Sequence, residues 1–129
     1  MCLRKIVHVY DPPLKESRIG YKVFEEYDDE LRALYFSCSF DLDGWNIDKE
    51  TDNIVGTLGI IYPSGYHVYK NLKDISFYTI EHSPDDLVVY KVEIQDIVAY
   101  GTNTSFGKVG LSHCYVAKKL RLIEQVNEI

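Results

Sequence analysis

Four histidines and three cysteines are the side chains of this chain best suited to hold a metal or to act as a nucleophile. Structural zinc takes its ligands in pairs such as C-x-x-C or H-x-x-x-H, and no such pair occurs. His113 and Cys114 are adjacent, which on a strand sends them to opposite faces. The stretch Ser39-Phe40-Asp41-Leu42-Asp43-Gly44, with Glu50 as its twelfth residue, nearly spells a calcium-binding loop. In such a loop oxygen ligands alternate around a sharp glycine turn and a bidentate Glu closes the site. Here the first ligand is Ser39, the hydrophobic eighth position is Asn46, and neither flank reads as a helix, so a solvated acidic loop is the better reading. A Ser or Cys nucleophile would need a base and an orienting carboxylate. There is no G-x-S-x-G elbow, and Cys38 lies in an apolar run where a thiol is ordinarily inert packing. Neither a G-x-G-x-x-G turn nor a P-loop is present. The sequence therefore assigns no catalytic residue, no metal and no cofactor.

Recognition by contact remains. The chain holds eleven tyrosines, five phenylalanines and one tryptophan. Tyr62, Tyr66, Tyr69, Tyr78, Tyr90 and Tyr100 crowd into one stretch, which has two readings: cross-strand aromatic packing, or, with Trp45, a partner-binding patch of the kind that dominates interface hot spots. The binding candidates are Trp45, Tyr66, His67, Tyr69 and Tyr100, joined by Lys22 if the fold brings that early strand beside Tyr66 and His67. His67 lies inside a strand and is expected to hydrogen-bond locally.

Composition bounds what these residues can serve. A length of 129 residues fits one domain spanning 1–129 and is enough to bury a core without staples. An odd number of cysteines at wide spacings is no disulfide framework and points to a reducing cytosol. The net charge of −6 opposes direct nucleic-acid binding, Lys118, Lys119 and Arg121 being only a local patch. No apolar run is long enough to span a membrane, and the first thirty residues lack the apolar core of a signal peptide.

The elements follow from periodicity and punctuation. Residues 4–10 read as a strand with Ile6, His8 and Tyr10 on one face, stopped by Asp11-Pro12-Pro13. Residues 20–40 read as a hairpin whose tip is the acidic run Glu25 to Glu30. Residues 41–59 read as a long acidic loop around Trp45, and Leu58 to Tyr62 rejoins the sheet before the Pro63-Ser64-Gly65 turn. Asn71 to Asp74 has the form of a helix cap, with Leu72, Ile75 and Tyr78 at helical spacing. The run LVVYKVEI is a strand, Asp96 is expected to turn it into a partner IVAY, and His113 to Ile123 closes the domain. The sum is an α+β domain: an antiparallel-rich sheet of six to eight short strands with one short helix.

GYKVF (20–24), SGYHVYKNLKD (64–74), VVYKVE (88–93), DIVAYGT (96–102) and VAKKLRLI (116–123), with the opening Met1-Cys2-Leu3, resemble small proteins of unknown function encoded by phages and prophages. That resemblance implies a cytosolic accessory protein that meddles with host machinery, and it brings no active site. In the order of its elements, the Gly-Tyr-His-Val-Tyr strand, helix and VVYKVEIQDIV strand are also similar to the core of ADP-ribosyltransferases. That likeness implies an NAD-using enzyme with Lys22 on the early strand, Tyr66 or Tyr69 in the middle and Glu93 or Glu124 late. Lys22 stands where those enzymes carry Arg or His, and no S-T-S or E-x-E follows. The expectation is a non-catalytic phage-type protein that binds and inhibits a host protein, one with a basic, nucleic-acid-facing surface complementary to this acidic chain. An NAD-using transferase and a small-ligand or nucleotide binder are the alternatives. A homo-oligomer is compatible with all three.

Overall fold

The computed structural model describes residues 3–33, 39–55, 59–104 and 111–127. Ten strands appear among the described residues: β1 (Lys5–Leu14), β2 (Arg18–Tyr27), β3 (Glu30–Ala33), β4 (Ser39–Phe40), β5 (Asn46–Ile47), β6 (Asn53–Val55), β7 (Ile61–Pro63), β8 (Tyr66–Tyr69), β9 (Leu87–Thr104) and β10 (Leu111–Val126). A 3-10 turn (Leu72–Asp74) and one helix, α1 (Phe77–Glu81), join β8 to β9. The architecture is mostly antiparallel sheet, and its helical part is a single short helix.

The antiparallel pair β9–β10 is the spine, in register from Leu111↔Thr104 to Val126↔Val89. The other edge of β9 is shared, β2 taking Leu87 to Ile94 and β1 taking Ile97 to Thr102. β8 runs along the far edge of β10 and meets β2 at Tyr21↔Tyr69, so β2, β9, β10 and β8 close into a ring. Closure needs a close approach of two backbones. A Cβ at Gly20 would lie 2.9 Å from the Tyr69 carbonyl and closer still to the Val68 side chain, so only glycine lets β2 reach β8.

Asp96 does not end the strand as its turn-forming character suggested. β9 runs straight through it as one 18-residue strand. Asp96 adopts φ +54°, a left-handed conformation that Asp tolerates better than most residues. The register slips there, Val116 facing Ala99 while Ala117 faces Ile97, so the ladder bends without breaking. Its carboxylate holds the Lys15 ammonium at 2.8 Å and that of Lys119 at 3.8 Å.

Strand alternation sorts the apolar residues onto two faces. Phe24, Val68, Val92, Ile94, Ala117 and Leu120 pack with Phe40 on one, and Val23, Tyr69, Val89, Cys114 and Val116 pack with Leu3, Tyr62 and Ile75 on the other. Both faces are therefore covered, which is why the strands carry apolar residues on both sides.

The helix begins later than the cap pattern implied. Asn71 makes no side-chain cap bond, and the turn after it is a 3-10 turn ended by Ile75 in extended conformation. Ile75 is 1% exposed, so seating it in the core outcompetes helix continuation. The helix is capped instead by Ser76, whose side chain accepts from the Thr79 amide at 3.2 Å. Tyr78, expected on the core face, is 70% exposed. Residues 41–55 hold β5 and β6 instead of one long loop, and β7 pairs with β6 in a separate two-stranded sheet. Residues 56–58 and Cys38 lie outside the described residues.

Candidate functional site

The residues singled out from the sequence do not gather at one place. Tyr66 is half-buried, its ring 5.3 Å from that of Phe40. His67, next along β8, points to the opposite face, where its Nε2 lies 2.9 Å from the Tyr62 hydroxyl. Tyr69 is buried on that same face. Lys22 is buried beside Phe24 and donates from Nζ to the His67 carbonyl at 2.8 Å. Lys22 thus touches the backbone of β8 and leaves the His67 ring on the other side of the sheet. Trp45 lies apart, under the Arg121 guanidinium 5.1 Å from its ring centre. Asn46 beside it anchors β5 by donating to the carbonyls of Asp41 and Leu120. Glu93 pairs with Arg121 on the face opposite Lys22, and Glu124 is exposed. The likeness to transferases therefore finds its named residues on different sides of the sheet.

Tyr100 sits in company that the linear sequence hides. Residues directly opposed in an antiparallel ladder share a face. β1, β9, β10 and β8 align His8, Tyr100, Tyr115 and Val68 in one such row. The next row outward is Lys5, Thr102 and His113. Lys70 extends it, its amide bonded to the His113 carbonyl at 2.9 Å. The His113 imidazole lies parallel to the Tyr100 ring, 4° between planes and 5.5 Å between centres. The Lys70 ammonium is 5.7 Å from the centre of the same ring, and Tyr115 supports it at 5.1 Å. Arg18 donates to the Tyr115 hydroxyl at 3.3 Å, a bond that holds its guanidinium more firmly protonated than usual. On the β1 side, Tyr10 packs edge-on against His8 at 4.4 Å. Lys5, His8, Lys70 and His113 are exposed, and among the described residues none of the four has a carboxylate within ion-pair distance. The buried Thr102 Oγ1, in the middle of that outer row, has no hydrogen-bond partner among the described residues.

The opposite end of β9 has the reverse character. The backbone bond from Glu26 N to Asp86 O, 2.8 Å, joins two acidic runs that are far apart in sequence. Glu25, Glu26, Asp28, Asp29, Glu30, Asp85 and Asp86 thereby share one end. Asp28 and Asp29 both take positive φ, the conformation a two-residue hairpin turn demands. Tyr27, beside that turn, is 53% exposed, with the Arg32 guanidinium 4.8 Å from its ring centre. Arg32, and Ser39 after it, pull the Glu30 carboxyl below its usual range.

The two reactive groups best placed by burial are chemically quiet. Burial pushes the Cys114 thiol up to about 12, which leaves almost no thiolate at neutral pH. Burial, with the nearby Lys22 charge, pushes the His67 imidazole down to about 3. His67 is therefore neutral, its Nδ1–H given to the Gly65 backbone and its Nε2 accepting from the Tyr62 hydroxyl. The Tyr62 oxygen in turn accepts the Leu3 amide at 2.8 Å. This chain of bonds clamps the segment leading into β1 and leaves the imidazole no free nitrogen for catalysis.

No family model matches the chain, and no curated protein or solved structure is significantly similar to it. Among the described residues no helix is long and apolar enough to cross a membrane.

Proposed function

We propose that this is a non-catalytic binding protein of the phage accessory type, acting in the host cytosol by docking its acidic end on a basic surface of a host protein. The observation that supports this reading is the placement of an exposed aromatic anchor, Tyr27, among the carboxylates that the Glu26–Asp86 contact brings together. An aromatic anchor with a charged rim is how many protein interfaces divide the labour: the ring supplies affinity, and the charges supply steering and choice of partner. The quiet state of Cys114 and His67 favours contact over bond-making.

The experiment is affinity capture from bacterial lysate with the wild-type chain and with Tyr27→Ala and Asp28→Lys/Asp29→Lys variants. The expected result is a host protein retained by the wild type, released by raised salt and lost from both variants. Equal recovery by all three proteins, or no specific recovery, sinks the reading.

A further inference from the structure

The net charge of −6 averages over two ends that differ in sign. At the end of β9 away from the acidic turn, the row His8, Tyr100 and Tyr115 lies beside an outer row of Lys5, Thr102, His113 and Lys70, and the exposed lysines lack carboxylate partners among the described residues. We propose that this sheet face binds a short stretch of single-stranded nucleic acid. Its bases would stack on the exposed rings of His8 and His113, which Tyr10 and Tyr100 back, and its phosphates would meet Lys5 and Lys70.

Three features carry the inference. The first is chemistry: flat rings beside unpaired ammonium groups match a ligand that is flat, aromatic and anionic. The second is extent. Neighbouring strands lie about 4.8 Å apart, so the four strands bearing this face span roughly 14 Å. Tyr115 and Val68 are buried, so the accessible part of that width is the outer row from Lys5 through His113 to Lys70, which accommodates two or three nucleotides and exceeds what one base would fill. The third is the orphaned Thr102 Oγ1 between Lys5 and His113, a polar atom closed off from solvent that a base edge or a 2′-hydroxyl would satisfy once the side chains over it move aside. The acidic end does not cancel the attraction. The straight part of β9 alone, Leu87 to Ile94, separates the two by about 23 Å, nearly three times the roughly 8 Å screening length in physiological salt.

Fluorescence anisotropy with labelled eight-nucleotide oligo-U tests this, using the full chain at 50 and 200 mM salt. A Kd of about 1–100 μM at the lower salt is expected, weakening as salt rises. Tyr100→Ala and His113→Ala should each weaken binding about 5-fold or more. Lys5→Glu/Lys70→Glu should weaken it further and flatten the slope of log Kd against log salt by about 1.4. Both lysines are exposed, so that variant tests the site even if Tyr100→Ala misfolds. Glu124→Gln, exposed and far along β10, should leave binding unchanged. Absence of binding by the wild type, equal binding by the lysine variant, equal affinity for a duplex, or equal competition by AMP each overturns the proposal.

Discussion

The two ends of β9 are built from the same ladder but spend their side chains differently. At the acidic end the carboxylates stand on a tight two-residue turn and on the 85–86 segment, each run contiguous in sequence and its charges exposed at the tip. At the basic end the cations and rings come from β1, β9, β10 and the residue after β8, and only cross-strand register makes them neighbours. A charged tip can thus be written locally, whereas a composite face depends on the whole sheet being in register. The acidic end should therefore tolerate loss of packing that destroys the basic one.

The largest expected effect tests that difference directly. Phe24 is fully buried, with the rings of Phe40 and Tyr90 edge-on against it. Phe24→Ala should cost about 3–5 kcal/mol by chemical denaturation. At partial unfolding, amide exchange should rise at Tyr100 and His113 as well as near the substitution.

Acid should strike the basic end first. The His67 imidazole is depressed to about 3 in the fold and lies near 6.5 when unfolded, so the unfolded chain binds the extra proton between those values. The stability this represents is fully present above pH 6.5 and is lost as pH falls toward 3, by up to about 1.4 kcal/mol per pH unit. Denaturant midpoints at pH 7.0 and 4.5 should differ accordingly, and His67→Gln should shrink the difference. An unchanged pH dependence in that variant would remove His67 from the account.

A smaller effect is expected at the bend between the ends. Asp96→Val places a β-branched residue at φ +54° and should cost about 1–2 kcal/mol, whereas Asp96→Gly should be nearly neutral. The smallest belongs to Lys15, whose side chain is 77% exposed in its pair with Asp96. Lys15→Ala should change stability by less than about 1 kcal/mol, and less again in high salt.

The strands were legible in the sequence because β-branched and aromatic runs are local signals. The run 20–27, the tip at Glu25 to Glu30 and the LVVYKVEI strand all appear where those signals lie. Asp96 and Asn71 misled for one shared reason: each is a good turn or cap residue in isolation, and each is overruled by neighbours it cannot foresee. Ladder pairing with β10 carries the chain past Asp96, and burial of Ile75 unwinds the expected helix start. His8 and Tyr10 share a face as alternation along 4–10 predicts, but β1 runs on through Asp11-Pro12-Pro13 to Leu14. A register slip at Val7 turned Ile6 to the other face. Of the binding candidates, Tyr100 lies within the basic face, while Lys5, His8, Lys70 and His113 were not singled out for it. Alternation alone could have paired His113 with Tyr115 on one side of their strand. Nothing in the linear order says that Lys5 and Lys70 flank the same row.

The unbroken run of β9 beside β10 also has a mechanical consequence. If separate molecules grip the two ends and are drawn apart, the tension runs lengthwise down these strands. The rungs between them then bear the load side by side and must give way together, unlike a zip opened from one corner.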